Sequence, residues 1–355
     1  MSDLSDRTLD HLRQVVEWPD LSQTRYELRR ELDRGGMGVV YAALDRELHR
    51  EVALKVLATA VADADSAARL RREAQIIAGL EHPGIVPVHD VGTLPDGRVF
   101  YAMKLVSGQR LDALVRDGRP LAERLRVFLR VCEPVAFAHA HGVIHRDLKP
   151  ENVMVGPFGE VLVMDWGVAT RHGAVGQEES TPLSAEAPAP GQTAHGTVVG
   201  TPAWMAPEQA RGEVERTDAR TDVYSLGAIL YFLLTSRVPG AAGDDGAQAA
   251  TRSWVGYTGP RPSKVVPVRL LDPEVPRPLE AICLKALSAE PEARYATATE
   301  MAKDIALFLE GAAVSAFPEG PWRRLLRVGA KYRTPLLLVA AYVVMRALML
   351  LVLKV

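Results

Sequence analysis

Cysteine is almost absent from this 355-residue chain, and the two present, Cys132 and Cys283, stand far apart. That excludes a disulfide framework and a thiolate metal site, and it points to a reducing compartment. An excess of charge of either sign is also missing: 42 basic residues face 44 acidic ones, for a net charge of -2. No global field therefore favours nucleic acid, which is not expected as a partner, and partners must be read from local sites. The N-terminus, MSDLSDRTLDHLRQ, lacks the basic start and apolar core of a secretory signal, so the body of the chain is expected in the cytoplasm. Lysine is scarce as well, eight against 34 arginines. Arginine replaces a surface lysine readily, but not one whose compact ammonium must reach a phosphate oxygen, so each lysine is informative.

What is present suits folded domains with real cores: 48% of residues are hydrophobic. Residues 1–24 read as an N-terminal arm, with a short helix at 5–17 carrying Leu9, Leu12 and Val16 at helical spacing. From Tyr26 the pattern alternates through YELRREL, a glycine cluster, VVYAALD and EVALKVL, which predicts three antiparallel strands. Residues 64–80 place Leu70, Ile77 and Leu80 on one helical stripe. Two more strands are expected near 85–91 and 98–105, around the turn Pro95-Asp96-Gly97. A small β lobe with one main helix thus occupies 25–106. Downstream the periodicity is helical at 121–140, 221–235, 277–288 and 297–310, with short strands around 152–164, so 107–311 forms a larger α-rich lobe. The fold class is α+β. Residues 173–197 are rich in Ala, Pro, Gly, Ser and Thr and poor in apolar residues.

Chemistry concentrates at a few places. The stretch ELDRGGMGVVY lets bare backbone amides close over phosphates, although the same glycines suit an ordinary hairpin. Lys55 lies in the apolar strand VALKV, and alternation turns it to the face opposite Val52 and Leu54. Such a lysine needs an anion, and Glu73 on the following helix supplies one. The pair either holds the ammonium against nucleotide phosphates or is a purely structural, costly ion pair. Asp165 follows the apolar run VLVM, and with Asn152 it offers hard oxygen ligands of the kind Mg²⁺ prefers beside phosphates. In HGVIHRDLKPENVMV, residues 141–155, Asp147 is placed to accept a proton from a hydroxyl and Lys149 to steady a phosphoryl group. His139, His141 and His145 invite a metal reading, but no Cys or carboxylate set accompanies them.

At this point the sequence resembles the eukaryotic-like, Hanks-type serine/threonine protein kinases of bacteria, over roughly residues 26–311. The resemblance is carried by DRGGMGVVY, VALK with Lys55, Glu73 in RREAQ, HRDLKPEN, DWG at 165–167, APE at 206–208, TDVYSLG with Asp222, and Arg294 in EPEARY. It implies a bilobal kinase fold that binds ATP with Mg²⁺, or Mn²⁺ in its place. Val40, Ala53 and Met154 would sandwich the adenine beside Leu32, Met103 would guard the back pocket, and Lys104 to Val106 would form the hinge. Gly35, Gly36 and Gly38 would cover the phosphates, and Lys55 with Glu73 would hold them. Asp147 would be the catalytic base with Lys149 beside it, Asn152 and Asp165 the metal ligands, and Asp222 the brace of the catalytic loop. Glu208 and Arg294 would form a buried ion pair. HRDLKPEN and Thr201 in GTPAWMAPE match the serine/threonine branch, so Ser/Thr hydroxyls of proteins are the expected acceptors. The alternatives are a nucleotide-binding pseudokinase scaffold and a membrane-anchored adaptor.

Two departures qualify the resemblance. Asp33 stands at the first glycine position of the loop, which places a carboxylate near the expected phosphates and predicts weaker ATP binding. The activation segment, 165–208, is long, 43 residues from Asp165 to Glu208. It carries Thr193 and Thr197 as candidate phosphorylation sites, with Arg146 as the cation that would pair with the phosphate. Trp166 replaces the usual phenylalanine but keeps a large apolar plug.

The C-terminal run PLLLVAAYVVMRALMLLVLKV, 335–355, is a candidate transmembrane helix. Its 18 residues from Leu336 to Leu353 reach about 27 Å, against a hydrocarbon core of roughly 30 Å. Arg346 opposes insertion. The linker 312–334 carries Arg323, Arg324, Arg327, Lys331 and Arg333, which predicts a cytoplasmic kinase anchored to the inner membrane. A signal would arrive through the membrane segment, the N-terminal arm or self-association.

Overall fold

The computed structural model describes residues 18–35, 38–58, 64–171, 201–239, 265–318, 338–339 and 341–346. Strands β1 (Tyr26–Gly35), β2 (Gly38–Asp45) and β3 (Arg50–Val56) form where the sequence alternates, and helix α1 (Ala64–Ala78) follows. With β4 (Val88–Thr93) and β5 (Val99–Lys104) they make an antiparallel sheet of order β1-β2-β3-β5-β4. The fourth strand begins later than the pattern at 85–91 predicts. Pro87 has no amide proton for a ladder, and its carbonyl accepts from the Lys104 amide at 3.1 Å.

Alternation along β3 divides its side chains between two cores. Val52, Leu54 and Val56 pack with Tyr26, Tyr41 and Phe100 on the outer face. Ala53 joins a larger core that runs through α1 into the second lobe. Lys55 is thereby carried to the inner face, where it is 8% exposed. Strand register then sets its neighbours: Ala53 lies opposite Met103, and Lys55 lies opposite Val40 on one side and Tyr101 on the other. Opposed residues of antiparallel strands share a face, so these five side chains form one wall. On α1, Leu70, Glu73, Ala74 and Ile77 recur at helical spacing and all are buried. One member of that buried stripe is a carboxylate.

The second lobe contains β6 (Gln109–Arg110), α2 (Leu111–Arg116), α3 (Leu121–Ala140), β7 (Val143–Ile144), β8 (Val153–Val155), β9 (Val161–Val163) and β10 (Thr170–Arg171). It continues through α4 (Pro207–Ala210), α5 (Ala219–Thr235), α6 (Val268–Leu271), α7 (Arg277–Ala286) and α8 (Ala298–Leu309). Helix α5 is buried from Thr221 to Leu234, which makes it the central helix that α3, α7 and α8 surround. Asp218 caps it by accepting from the Arg220 amide at 2.8 Å, and Ser236 ends it in the left-handed conformation. The short strands β6, β8 and β9 form a small sheet beneath the cleft between the lobes.

The helix expected at 5–17, Gly36, the segment 173–197 with Thr193 and Thr197, and most of 319–355 lie outside the described residues. Within the candidate span, 338–339 and 341–346 are helical, and Leu338, Val339 and Tyr342 to Met345 are exposed. Among the described residues no helix is long and apolar enough to cross a membrane.

Candidate active site

The buried carboxylate of α1 meets the buried lysine of β3. Lys55 Nζ donates to Glu73 Oε1 at 2.8 Å and Oε2 at 3.0 Å, and to Asp165 Oδ1 at 3.0 Å. One ammonium thus ties the sheet, the helix and the second lobe together. Burial by itself would depress the Lys55 ammonium, but the adjacent Glu73 and Asp165 carboxylates outweigh it and raise its pKa. Asp165 moves the other way: partial desolvation at the cleft wall would raise it, but Lys55 holds it below the usual carboxylate range. The Tyr101 hydroxyl donates to Glu73 Oε1 at 2.9 Å and fixes the carboxylate from the neighbouring strand. Sequence reasoning missed Tyr101, although the Lys55–Tyr101 register explains it.

The catalytic-loop residues hang from α5. Asp222 is fully buried, and its Oδ2 accepts from the His145 amide at 2.8 Å while its Oδ1 accepts from the Arg146 amide at 2.9 Å. His139 Nε2 lies 2.8 Å from Asp222 Oδ2. The histidine cluster is therefore divided between structural duties, and His139 is a supporting residue that no sequence pattern identified. Among the described residues no group of three or more His, Cys, Asp or Glu could hold a metal ion. The backbone is bent at Arg146 in this loop, φ 68°, and at Asp165 after β9, φ 57°, both in the left-handed region. The Arg146 carbonyl is held by Gln209 Nε2 at 2.6 Å.

Asp147 has both carboxylate oxygens engaged. Oδ1 accepts from the Thr201 amide at 2.8 Å, and Oδ2 accepts from Lys149 Nζ at 2.7 Å. Lys149 also donates to Thr201 Oγ1 at 2.8 Å, so Asp147, Lys149 and Thr201 form one triangle. Asn152 Nδ2 donates to the Asp147 carbonyl at 2.9 Å, which commits the amide nitrogen and leaves the side-chain oxygen as the end that could meet a cation. The Asp165 side chain is 47% exposed and faces the cleft. These two oxygen donors fit a hard divalent cation that completes its shell with phosphate and water.

A cavity of about 710 Å³ opens between the lobes, lined by Leu32, Gly35, Gly38, Val40, Ala53, Lys55, Met103, Lys104, Val106, Asn152, Met154 and Asp165. The cavity wall thus brings together the described residues expected around nucleotide and metal except Glu73, which reaches it only through Lys55. Two glycines of the loop serve different ends. A Cβ at Gly38 would fall 2.5 Å from the Val56 carbonyl oxygen, so the close approach of β2 to β3 requires glycine. A Cβ at Gly35 would meet nothing within 4 Å, so packing does not explain that glycine.

Asp33 lies at the cavity mouth, but its carboxylate is engaged. Oδ2 accepts from Arg110 of β6 at 3.0 Å, and Oδ1 accepts from the Arg34 amide at 2.9 Å. The charge expected to oppose phosphates is partnered by a cation from the other lobe. Trp166 is fully buried against the His145 ring, with centroids 4.5 Å apart, as an apolar plug should be. Deeper in the large lobe, Arg294 pairs bidentately with Glu208, at 2.7 and 2.8 Å, with both side chains fully buried. Thr221 Oγ1 donates to Glu208 Oε1 at 3.0 Å.

Comparison with known proteins agrees with this geometry. Residues 26–304 match the family described as protein kinase domain. Serine/threonine-protein kinase PknB of Mycolicibacterium smegmatis is 40% identical over 304 residues, covering 84% of this chain and 45% of that protein. Serine/threonine-protein kinase PknD of Chlamydia felis is 36% identical over 306 residues, covering 81% of this chain and 31% of that protein. The crystal structure of the M. tuberculosis PknI kinase domain shares 26% identity with a TM-score of 0.59, over 81% of this chain and 97% of that one. The chain spans less than half the length of these two full-length relatives. A two-lobed architecture with a lysine bridging both lobes, matched along most of its length, makes this chain a member of the protein kinase domain family.

Proposed function

We propose that the chain transfers the γ-phosphoryl group of ATP to serine or threonine hydroxyls of proteins, and that its own activation segment is among the acceptors. The observation that carries this reading is Lys55 held within 3.0 Å of both Glu73 and Asp165, which pairs the lysine with its helix carboxylate as phosphoryl transfer requires and sets Asp165 beside it. Adenine fits between Val40 and Ala53 above and Met154 below, with Met103 at the back and the hinge at Lys104 to Val106. The Lys55 ammonium neutralises the α and β phosphates. Asn152 and Asp165 would hold Mg²⁺, or Mn²⁺ in its place, which would supply positive charge against the nucleotide phosphates. Asp147 accepts the proton of the acceptor hydroxyl as that oxygen attacks the γ-phosphorus, the bond to the β–γ bridging oxygen breaks, and ADP leaves. Lys149, fixed by Asp147 and Thr201, faces the transferring group.

The test is transfer of labelled phosphate from ATP with Mg²⁺ to the protein and to a generic Ser/Thr peptide. Asp147→Asn is expected to lower the rate by about 10² to 10⁴ while ATP still binds. Wild-type protein that binds ATP but transfers nothing would identify a nucleotide-binding scaffold instead.

A membrane anchor at 335–355 is part of the same reading, supported by the exposed apolar side chains of Leu338, Val339 and Tyr342 to Met345 and by the basic run before them. The kinase lobes would then face the cytoplasm. Detergent-free fractionation tests the anchor: full recovery in the soluble fraction overturns it.

A further inference from the structure

Behind the hinge, away from the nucleotide cleft, a second cavity of about 590 Å³ lies between α3 and the β8–β9 turn. Its walls carry Arg119, Arg126 and Arg130, against Glu123 as the one acidic side chain. Val127 and Val155 form an apolar floor, and at the rim the Glu160 side chain packs against Gly156. Two of the guanidiniums are already oriented: Arg119 pairs with Glu123, and Arg130 donates to the Gly159 carbonyl. Arg126 is exposed and has no hydrogen bond or ion pair among the described residues. Arg126 and Arg130 are four apart on one helix face, a spacing at which like charges repel. That repulsion is relieved when an anion lies between them.

Beside the arginines stands an unusual apolar group. Phe158, at the tip of the turn between the lining residues Pro157 and Gly159, is 93% exposed, the highest value among the exposed large apolar side chains of the described residues. The active site uses neither the phenyl ring nor the arginines. A partner suited to this surface brings carboxylates to Arg126 and Arg130 and an aliphatic or aromatic side chain to Phe158. Arginine and aromatic groups placed together are the composition of protein-binding hot spots. Nucleic acid is the other anionic class, and it makes no use of a valine floor beside an exposed phenyl ring.

We infer that this groove docks an acidic, apolar-flanked segment of a protein partner, separately from the Ser/Thr that enters the active site. Because Gly108 and Gln109 of its wall follow the hinge after Ser107, and Gly108 also lines the nucleotide cavity, an occupant would abut the segment that holds adenine.

The experiment is fluorescence anisotropy of a fluorescein-labelled Glu/Leu peptide with the full chain. The controls are a Lys/Leu peptide of equal length and a single-stranded oligonucleotide. Wild type is expected to bind the acidic peptide alone. Arg126→Glu should weaken binding by at least about tenfold, and Phe158→Ser should weaken it less. Both variants should phosphorylate a generic acceptor peptide at the wild-type rate, since neither residue lines the nucleotide cleft. Equal binding by wild type and Arg126→Glu overturns the proposal, as does a preference for the oligonucleotide. A generic-peptide rate that falls in step with acidic-peptide binding would also overturn it, because the arginine would then be supporting the fold or the chemistry rather than a partner.

Discussion

Asp33 and Arg110 meet at 3.0 Å across the mouth of the nucleotide cavity, one from the glycine-rich edge of the small lobe and one from β6 of the large lobe. Each departs from neutrality where phosphates approach, and each offsets the other. The pair is exposed, at 62% and 48%, so it contributes about 0 to 1 kcal/mol to stability. Its effect falls on the ligand. Arg110→Ala frees a carboxylate beside the triphosphate, so the KM for ATP should rise by about two- to fivefold with little change in kcat or Tm. Asp33→Gly in the same chain should restore the KM, which steady-state kinetics on the single and double variants will check.

The lysine bridge predicts an intolerance of arginine. Lys55 places a single compact nitrogen within 3.0 Å of three carboxylate oxygens, and the planar fork of arginine does not fit that point. Lys55→Arg should lower kcat by at least about 10²-fold, whereas nucleotide binding should fall less. Single-turnover transfer and ATP titration separate the two.

Thr201 should matter through its hydroxyl rather than its methyl group. Its Oγ1 accepts from Lys149 and its amide donates to Asp147. Thr201→Ser should be nearly neutral. Thr201→Val should cost about tenfold in kcat, since Lys149 loses one of its two anchors.

The Glu208–Arg294 pair predicts a stability effect remote from chemistry. With both side chains fully buried, removing one partner strands the other charge. Arg294→Ala should destabilise the fold by about 3 to 5 kcal/mol, read as a lower urea midpoint. A conservative Arg294→Lys should recover only part of this, because one ammonium cannot replace the bidentate contact.

Acid should loosen the catalytic loop through Asp222. Burial alone would raise this carboxyl, but the hydrogen bonds from His139 and from the His145 amide hold it below its usual value of 3.8. A group whose folded pKa is depressed contributes its stability above the unfolded pKa and loses it as pH falls through the folded one. The stability gap between wild type and Asp222→Asn should therefore be constant above about pH 5 and shrink below 3.8. Urea midpoints measured across that range test the sign.

Residues whose spacing has a local cause were legible in the sequence. Lys55 stands on an alternating strand and Glu73 on a helical stripe, and a buried charge on each demands a partner. Supports whose partners are distant were not. Tyr101 reaches Glu73 through strand register, and His139 reaches Asp222 across 83 positions. Asp33 shows the limit most directly: read along the chain it opposes phosphate, yet it pairs with Arg110, 77 positions away. The docking groove was invisible for the same reason, since its arginines and its phenylalanine come from separate elements.

The sequence by itself determined which residues alternate, which lie on a buried stripe, and which charged groups could not be left alone, because period and burial depend on near neighbours. Tertiary structure decided which charge answers which: Lys55 between Glu73 and Asp165, Asp222 beneath the catalytic loop, and Arg110 opposite Asp33. Pairing depends on distances of about 3 Å between elements, and those distances exist only once the lobes have packed.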